Sequence, residues 1–231
     1  MIEVVDAVAQ RHQLPALAYP HAALEPYIDA RTMQLHHDEH HARYVEELNR
    51  ALARFPDLQS KSALWLLLNL RKLPAEIRVA VRASAGGHVN HSLLWQVMSP
   101  TGGGVPQGAL GDAIARDFGS FSQFKTRFEE AGAALRGCGW VWLARTLEKG
   151  GGLELLTTPA HDHPQMHGRF PLLLNDLWEH AYYLKHENRR SEYLGGWWPV
   201  VNWQEAARRY ERAGHSVDEK STRHPWTKQA F

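Results

Sequence analysis

The sequence predicts an α+β fold, in which an N-terminal helical hairpin is followed by a C-terminal domain with a small three-stranded antiparallel sheet and flanking helices. Three observations carry that expectation. Apolar residues recur at helical spacing from Leu24 to Met98, β-rich runs cluster between Trp140 and Leu174, and a Gly/Pro segment separates the two regimes.

From Leu24 to Arg54 the apolar set Leu24, Tyr27, Ile28, Leu35, Tyr44, Val45, Leu48 and Leu52 keeps one helical face, with Glu46 and Glu47 outside. This reads as one long amphipathic helix with a bend near Asp29. A second helical stretch spans Leu64 to Met98, where Pro74 forces a break and Gly86-Gly87 permits close backbone packing. The two stretches form the hairpin. The run from Ser99 to Pro106 contains Gly102-Gly103-Gly104 between two prolines and marks the domain boundary, giving a hairpin domain over 1–101 and a C-terminal domain over 102–231. Gly102-Gly103-Gly104 lacks the lysine and following helix of a phosphate loop.

Beyond the boundary, two short helices are expected over Leu110–Phe118 and Ser122–Arg136. Strands follow over Trp140–Thr146, Leu153–Thr158 and Phe170–Leu174, the first two joined by a turn at Lys149-Gly150-Gly151-Gly152. Helix returns over Glu179–Glu187 and Trp203–Arg212, and a polar, poorly ordered tail is expected from about Ala213.

Composition narrows the function classes. With 26 basic and 25 acidic residues, the charge balance calls for neither nucleic acid nor an anionic membrane as partner. No apolar run approaches the roughly 20 residues that span a bilayer. The single cysteine, Cys138, leaves no intramolecular disulfide; it sits in a Gly-Cys-Gly turn and reads as a small buried hydrophobe. The first residues, Met1 to Leu14, carry acids and no long apolar core, so a cytoplasmic protein is expected.

The chemistry lies in the 15 histidines. His36 and His40 stand four residues apart, with Tyr44 one further turn along the same face, so three polar rings form a line. Beside them, His37 and His41 complete a His-rich run compatible with a solvated surface. Asp176 ends an apolar run and His180 follows a helical turn later, a carboxylate and an imidazole that suit a borderline divalent metal. Asp176 also suits an N-cap. His91, in Asn90-His91-Ser92-Leu93-Leu94-Trp95, is a further candidate ligand. The spacing of His36 and His40 occurs in zinc hydrolases too, but those place glutamate directly after the first histidine, where this chain has His37.

The segments Leu35-His36-His37-Asp38-Glu39-His40-His41, Asn90 to Trp95 and Asp176-Leu177-Trp178-Glu179-His180-Ala181-Tyr182-Tyr183 resemble, in order and spacing, the metal-site motifs of the iron/manganese superoxide dismutases. The likeness runs from about Leu14 to Tyr210 and includes Gly137-Cys138-Gly139-Trp140-Val141-Trp142-Leu143 and Val201-Asn202-Trp203. It implies that His36, His91, Asp176 and His180 bind one metal ion, with solvent as a fifth ligand, and that superoxide is converted to dioxygen and hydrogen peroxide as the ion cycles between +3 and +2. It also implies that His40 and Tyr44 form the gate for superoxide, that Tyr44 relays protons, and that Trp95, Trp140, Trp142 and Trp178 wall the site. Glu179 is expected to cross a subunit interface to the partner's ligand histidine, with Tyr183 beside it, making the protein a homodimer or a homotetramer. A protein of this fold that only binds metal is the non-enzymatic alternative.

Two departures matter. Many relatives carry a glutamine either at a strand end or on the helix before the second histidine ligand; here those places match His161, in Ala160-His161-Asp162, and Gly86-Gly87. The resemblance is to members with histidine in that outer position, so iron is the expected ion, with manganese also accepted, and His161 is the expected hydrogen-bond partner of Tyr44. Glu39 stands where many relatives have lysine, which leaves Arg189 as the main positive charge to steer the anionic substrate. His161, His163 and His167 could make a separate metal-binding loop, but Pro164 and Gly168 point to an ordinary exposed loop.

Overall fold

The computed structural model describes residues 11–147 and 151–218, with side chains as far as residue 213. Lys149 and Gly150 of the expected turn lie outside the described residues.

The first helix starts later than the apolar period suggests. Asp29 has an extended backbone, and its carboxylate accepts from the Thr32 backbone N–H at 2.8 Å and the Thr32 hydroxyl at 2.6 Å, an N-cap that opens α1 (Ala30–Gln34). Leu24 and Ile28 are buried as their spacing requires, but Leu24 ends a 3-10 turn (His21–Leu24) and Tyr27 is exposed. From α1 the chain passes into a π-helical stretch, Leu35–His41, in which the Ala42 N–H reaches back to the His37 carbonyl, and then into α2 (Ala42–Leu52). After α3 (Pro56–Gln59), the Ser62 hydroxyl accepts from Trp65 N at 3.1 Å and caps α4 (Ala63–Leu68). Pro74 does interrupt the second arm; short 3-10 turns at Leu70–Lys72 and Ala75–Ile77 flank it before α5 (Arg78–Gln96). Leu48, Leu52, Leu66, Leu67, Val81, Ala85 and Val89 form the hairpin core.

The C-terminal domain contains α6 (Gly108–Phe118) and α7 (Phe121–Ala134), then β1 (Gly139–Thr146), β2 (Leu153–Pro159) and β3 (Arg169–Asp176). The strand order is β2-β1-β3, antiparallel throughout. Central strand β1 is buried from Gly139 to Ala144 and pairs Trp140 with Asp176, so the register brings an indole and a carboxylate side by side at one end of the sheet. Pro171 is accommodated because β3 is an edge strand.

The stretch expected to be a helix over Glu179–Glu187 is a 3-10 turn (Glu179–Ala181) followed by α8 (Tyr183–His186). α9 (Arg190–Gly196) has no counterpart among the expected elements. The tail expected from about Ala213 begins as helix instead, since α10 (Trp203–Asp218) runs on to Asp218; the rest of that tail lies outside the described residues. Ala206 and Ala213, two helical turns apart, are fully buried, and Arg209 between them donates to the Pro171 carbonyl at 2.9 Å, so the packed face outlasts the apolar composition. Cys138, expected to be buried, is exposed, because it lies outside the sheet just before β1. No helix among the described residues is long and apolar enough to cross a membrane.

Candidate metal centre

The centre is assembled from four segments. His36 comes from the π-helical stretch, His91 from α5, Asp176 from the end of β3 and His180 from the 3-10 turn that follows it. Their donor atoms lie within 4.8 Å of one another. Measured from Asp176 Oδ2, His36 Nε2 is at 3.0 Å, His180 Nε2 at 3.2 Å and His91 Nε2 at 3.6 Å. A divalent ion with bonds of about 2.0–2.2 Å has neighbouring ligand atoms roughly 2.9–3.6 Å apart, the range seen here.

The donor set itself tests whether a metal fits. His91 Nδ1 donates to the Gly87 carbonyl at 2.7 Å, which puts the ring proton on Nδ1 and leaves a lone pair on Nε2. That Nε2 is buried and has no hydrogen-bond partner, which is costly unless the lone pair meets a cation. The carboxylate is held from behind, Asp176 Oδ1 accepting from Trp178 N at 2.8 Å, so Oδ2 faces the three imidazoles. Burial draws the His36 imidazole down to about 4 and the His91 imidazole well below its ordinary value. For Asp176, burial pushes the carboxyl up, but the His180 charge and the hydrogen bonds from His180 and His36 outweigh it and hold the group below the usual carboxylate range. Neutral His36 and His91 imidazoles beside an ionised carboxylate are protonation states that metal binding needs.

Around these four stand most of the other predicted residues. The His40 ring stacks on His180 at 4.1 Å and contributes no atom to the cage; burial, followed by His180, lowers its imidazole to about 4. Trp95 packs edge-on against His36 at 4.9 Å, Trp140 against His91 at 5.1 Å, and Trp178 beside His180 at 5.8 Å. Trp142 lies one layer out, against Trp140 and His163, with its indole N–H on Thr158 Oγ1 at 2.9 Å.

His161 and Tyr44 meet at 2.7 Å between Nε2 and the phenol oxygen. The loop carrying His161 is fastened to α5 by the Arg82–Asp162 pair, at 2.7 and 2.5 Å, and by Asn90 Nδ2 on the His161 carbonyl at 3.3 Å. Close approach explains Gly86 and Gly87. A Cβ on Gly86 would lie 2.3 Å from the His161 carbonyl oxygen, and one on Gly87 would lie 2.5 Å from the Tyr44 ring.

Other residues stand apart from the cage. Glu179 and Tyr183 are exposed. Arg189 is paired with Glu187 at 3.1 Å and Glu192 at 2.9 Å, so its charge is matched locally. Among the described residues, His161, His163 and His167 form no metal-holding cluster; the His163 ring instead caps a 3-10 turn, accepting from Gln165 N at 3.2 Å.

No spacing in the sequence singles out His41 and His88 as parts of the site. His41 is fully buried, accepts from Trp95 Nε1 at 2.9 Å and donates to His88 Nδ1 at 2.7 Å, which pins Trp95 beside His36. The only hint was the density of histidines, because a surface run and a buried network share one composition.

Residues 11–99 match the family model for the iron/manganese superoxide dismutases, alpha-hairpin domain, and residues 106–209 match the C-terminal domain of the same family. The protein named Superoxide dismutase (Mn) 1 of Leptolyngbya boryana is 51% identical over 203 residues, covering 87% of this chain and 81% of the relative. Superoxide dismutase (Mn) of Listeria monocytogenes is 48% identical over 202 residues, with 87% and 98% covered. The protein of the same name from Thermus aquaticus is 46% identical over 201 residues, with 87% and 98% covered. Two matched domains, relatives at about half identity along most of their length and a three-histidine, one-aspartate cage between hairpin and sheet lead to one assignment: the chain belongs to the iron/manganese superoxide dismutase family.

Proposed function

We propose that the chain disproportionates superoxide at an ion held by His36, His91, Asp176 and His180, and that manganese is its working metal. The buried, unpartnered His91 Nε2 aimed at Asp176 is the observation that carries the ligand assignment. Manganese is favoured because the relatives at about half identity bear it in their names. The chemistry that such an ion supplies is a one-electron cycle, in which one superoxide is oxidised to dioxygen and a second, with two protons, is reduced to hydrogen peroxide.

The chain's own residues arrange the surroundings. Trp140 Nε1 donates to His161 Nδ1 at 3.3 Å, so His161 carries its proton on Nε2 and donates it to the Tyr44 oxygen. The phenol O–H is thereby left to donate elsewhere. Burial, then Asp176, pushes the Tyr44 phenol well above its ordinary value, which keeps that proton in place at neutral pH. Tyr44 is in this reading a proton donor at the mouth of the site, with His40 stacked beside it on His180. Trp95, Trp140 and Trp178 cover the ligand rings and exclude bulk water.

Iron is the second reading, favoured by His161 standing where an amide is common. Steady-state superoxide turnover, normalised to bound metal, separates the two. The manganese-loaded protein is expected to be the more active form, and His161→Gln is expected to shift the manganese-to-iron activity ratio upward by about tenfold or more, in the range of outer partners of metal ligands. A more active iron form would overturn the choice of metal, and an unchanged ratio in His161→Gln would remove His161 from the control of it.

The assembly is proposed to be a homodimer. Tyr27, Tyr183 and Leu184 are large apolar residues left exposed, and Lys185 Nζ donates to the carbonyls of Pro26 and Tyr27, so these residues form one patch beside the exposed Glu179. A partner's Glu179 reaching His180 would orient that ligand, at a cost of about 10–100-fold in metal affinity if removed. Analytical ultracentrifugation at micromolar concentration should find a dimer, and a fully active monomer would refute the assignment.

A further inference from the structure

Among the described residues, one other group of ligating side chains converges: His21, His37 and Asp38, whose donor atoms also lie within 4.8 Å of one another. The His37 ring is buried, and its Nε2 meets the Pro15 carbonyl at 2.8 Å. A carbonyl only accepts, so Nε2 carries the ring proton, and the neutral ring has its lone pair on Nδ1. That lone pair faces Asp38 Oδ1 at 2.6 Å. Two acceptors so close need positive charge between them, supplied by a second ring proton or by a bridging cation.

His21 favours the cation. Its Nε2 lies 3.4 Å from the other Asp38 oxygen, so each carboxylate oxygen has an imidazole nitrogen against it, and a single ion serves all three side chains where a single proton serves one contact. A tetrahedral ion with bonds of about 2.0–2.2 Å has neighbouring ligand atoms roughly 3.3–3.6 Å apart, as His21 and Asp38 are. The closer His37 contact opens by a turn of the Asp38 side chain, which is 39% exposed. The Pro15 carbonyl behind His37 supplies the backbone acceptor that orients metal-binding imidazoles in general.

We propose that His21 Nε2, His37 Nδ1 and the Asp38 carboxylate form a second, solvent-accessible site for a borderline divalent cation of the zinc class, in addition to the redox centre. Two imidazoles and a carboxylate suit such an ion, and solvent completes its coordination. The site joins the 3-10 turn at His21–Leu24 to the π-helical stretch, and the His37 ring lies 5.7 Å from Trp95, which itself packs on His36. An ion there would stabilise the helix that carries His36 without entering the redox cycle.

The test uses manganese-loaded protein titrated with zinc chloride, after which both metals are quantified per chain by mass spectrometry. Micromolar zinc should add one zinc per chain with the manganese retained. His21→Ala and Asp38→Ala should each weaken zinc binding at least tenfold while keeping manganese and turnover, and zinc should raise the melting temperature of the unaltered protein but not of either variant. Equal zinc uptake by all three proteins would overturn the proposal. So would the absence of uptake at micromolar zinc, which would leave the His37–Asp38 contact as a proton-bridged ion pair, and so would zinc entering only by displacing manganese.

Discussion

Asp176→Ala is expected to abolish metal retention and superoxide turnover together. The carboxylate is the hub of the cage: three imidazole nitrogens lie 3.0–3.6 Å from the same oxygen, and the residue is completely buried. Removing it leaves three imidazole nitrogens facing one another with no negative charge to offset a cation. Losing an outer partner of a ligand already costs about 10–100-fold in metal affinity, so losing the ligand itself costs more. His91→Ala should have the same effect, since no other donor in the cage can take over from its buried Nε2. His40→Ala is the contrast, because that ring stacks on His180 and supplies no ligand atom; metal should stay while the rate falls. Metal content by mass spectrometry, with folding checked by circular dichroism, decides the matter. A folded, metal-free His40→Ala protein, or a metal-loaded Asp176→Ala protein, would show the ligand set to be wrong.

Gly86→Ala and Gly87→Ala are expected to be harmful although alanine is the better helix former. In an open helix each change would add about 1 kcal/mol of stability. Here the new Cβ at Gly86 would lie 2.3 Å from a backbone oxygen, that of His161, in a loop already fixed by Asn90 and by the Arg82–Asp162 pair. Overpacking of this kind costs about 1–3 kcal/mol or more, which exceeds the gain in propensity. A loss of that size lowers the melting temperature of a chain this long by roughly 2–4 °C per kcal/mol. Gly87→Ala strikes a side chain instead, with three Tyr44 ring atoms 2.5–2.8 Å away. The Tyr44 ring should swing and part from His161, so turnover should fall at full metal loading. The pair is checked by thermal melts and by activity per bound metal. A raised melting temperature in Gly86→Ala would show that the loop yields easily, and full activity in Gly87→Ala would remove Tyr44 from the proton path.

The elements that the sequence revealed correctly are those written in local pattern. Pro74 broke the second arm, the Ser99–Pro106 segment stayed irregular, and the three β-rich runs became β1, β2 and β3. Where the pattern misled, a specific interaction took precedence. Leu24 and Ile28 keep helical spacing, yet the Asp29 cap starts the helix at Ala30. The tail from Ala213 looks polar, yet α10 continues because Ala206 and Ala213 are small enough to pack.

By itself the sequence determined the two-part architecture and, through motif resemblance, the identities of the four side chains that converge, because ligand type and order survive in one dimension. Tertiary structure decided what depends on atoms from distant segments meeting. The π-helical winding of Leu35–His41 buries His37 and His41, which composition would leave on a surface. The register of β1 against β3 sets Trp140 beside Asp176, and the approach of the His161 loop to α5 allows only glycine at 86 and 87. Which nitrogen of each histidine carries its proton was likewise decided there, because a tautomer is fixed by the partner across the gap, and that partner is as far away in sequence as Tyr44 is from His161.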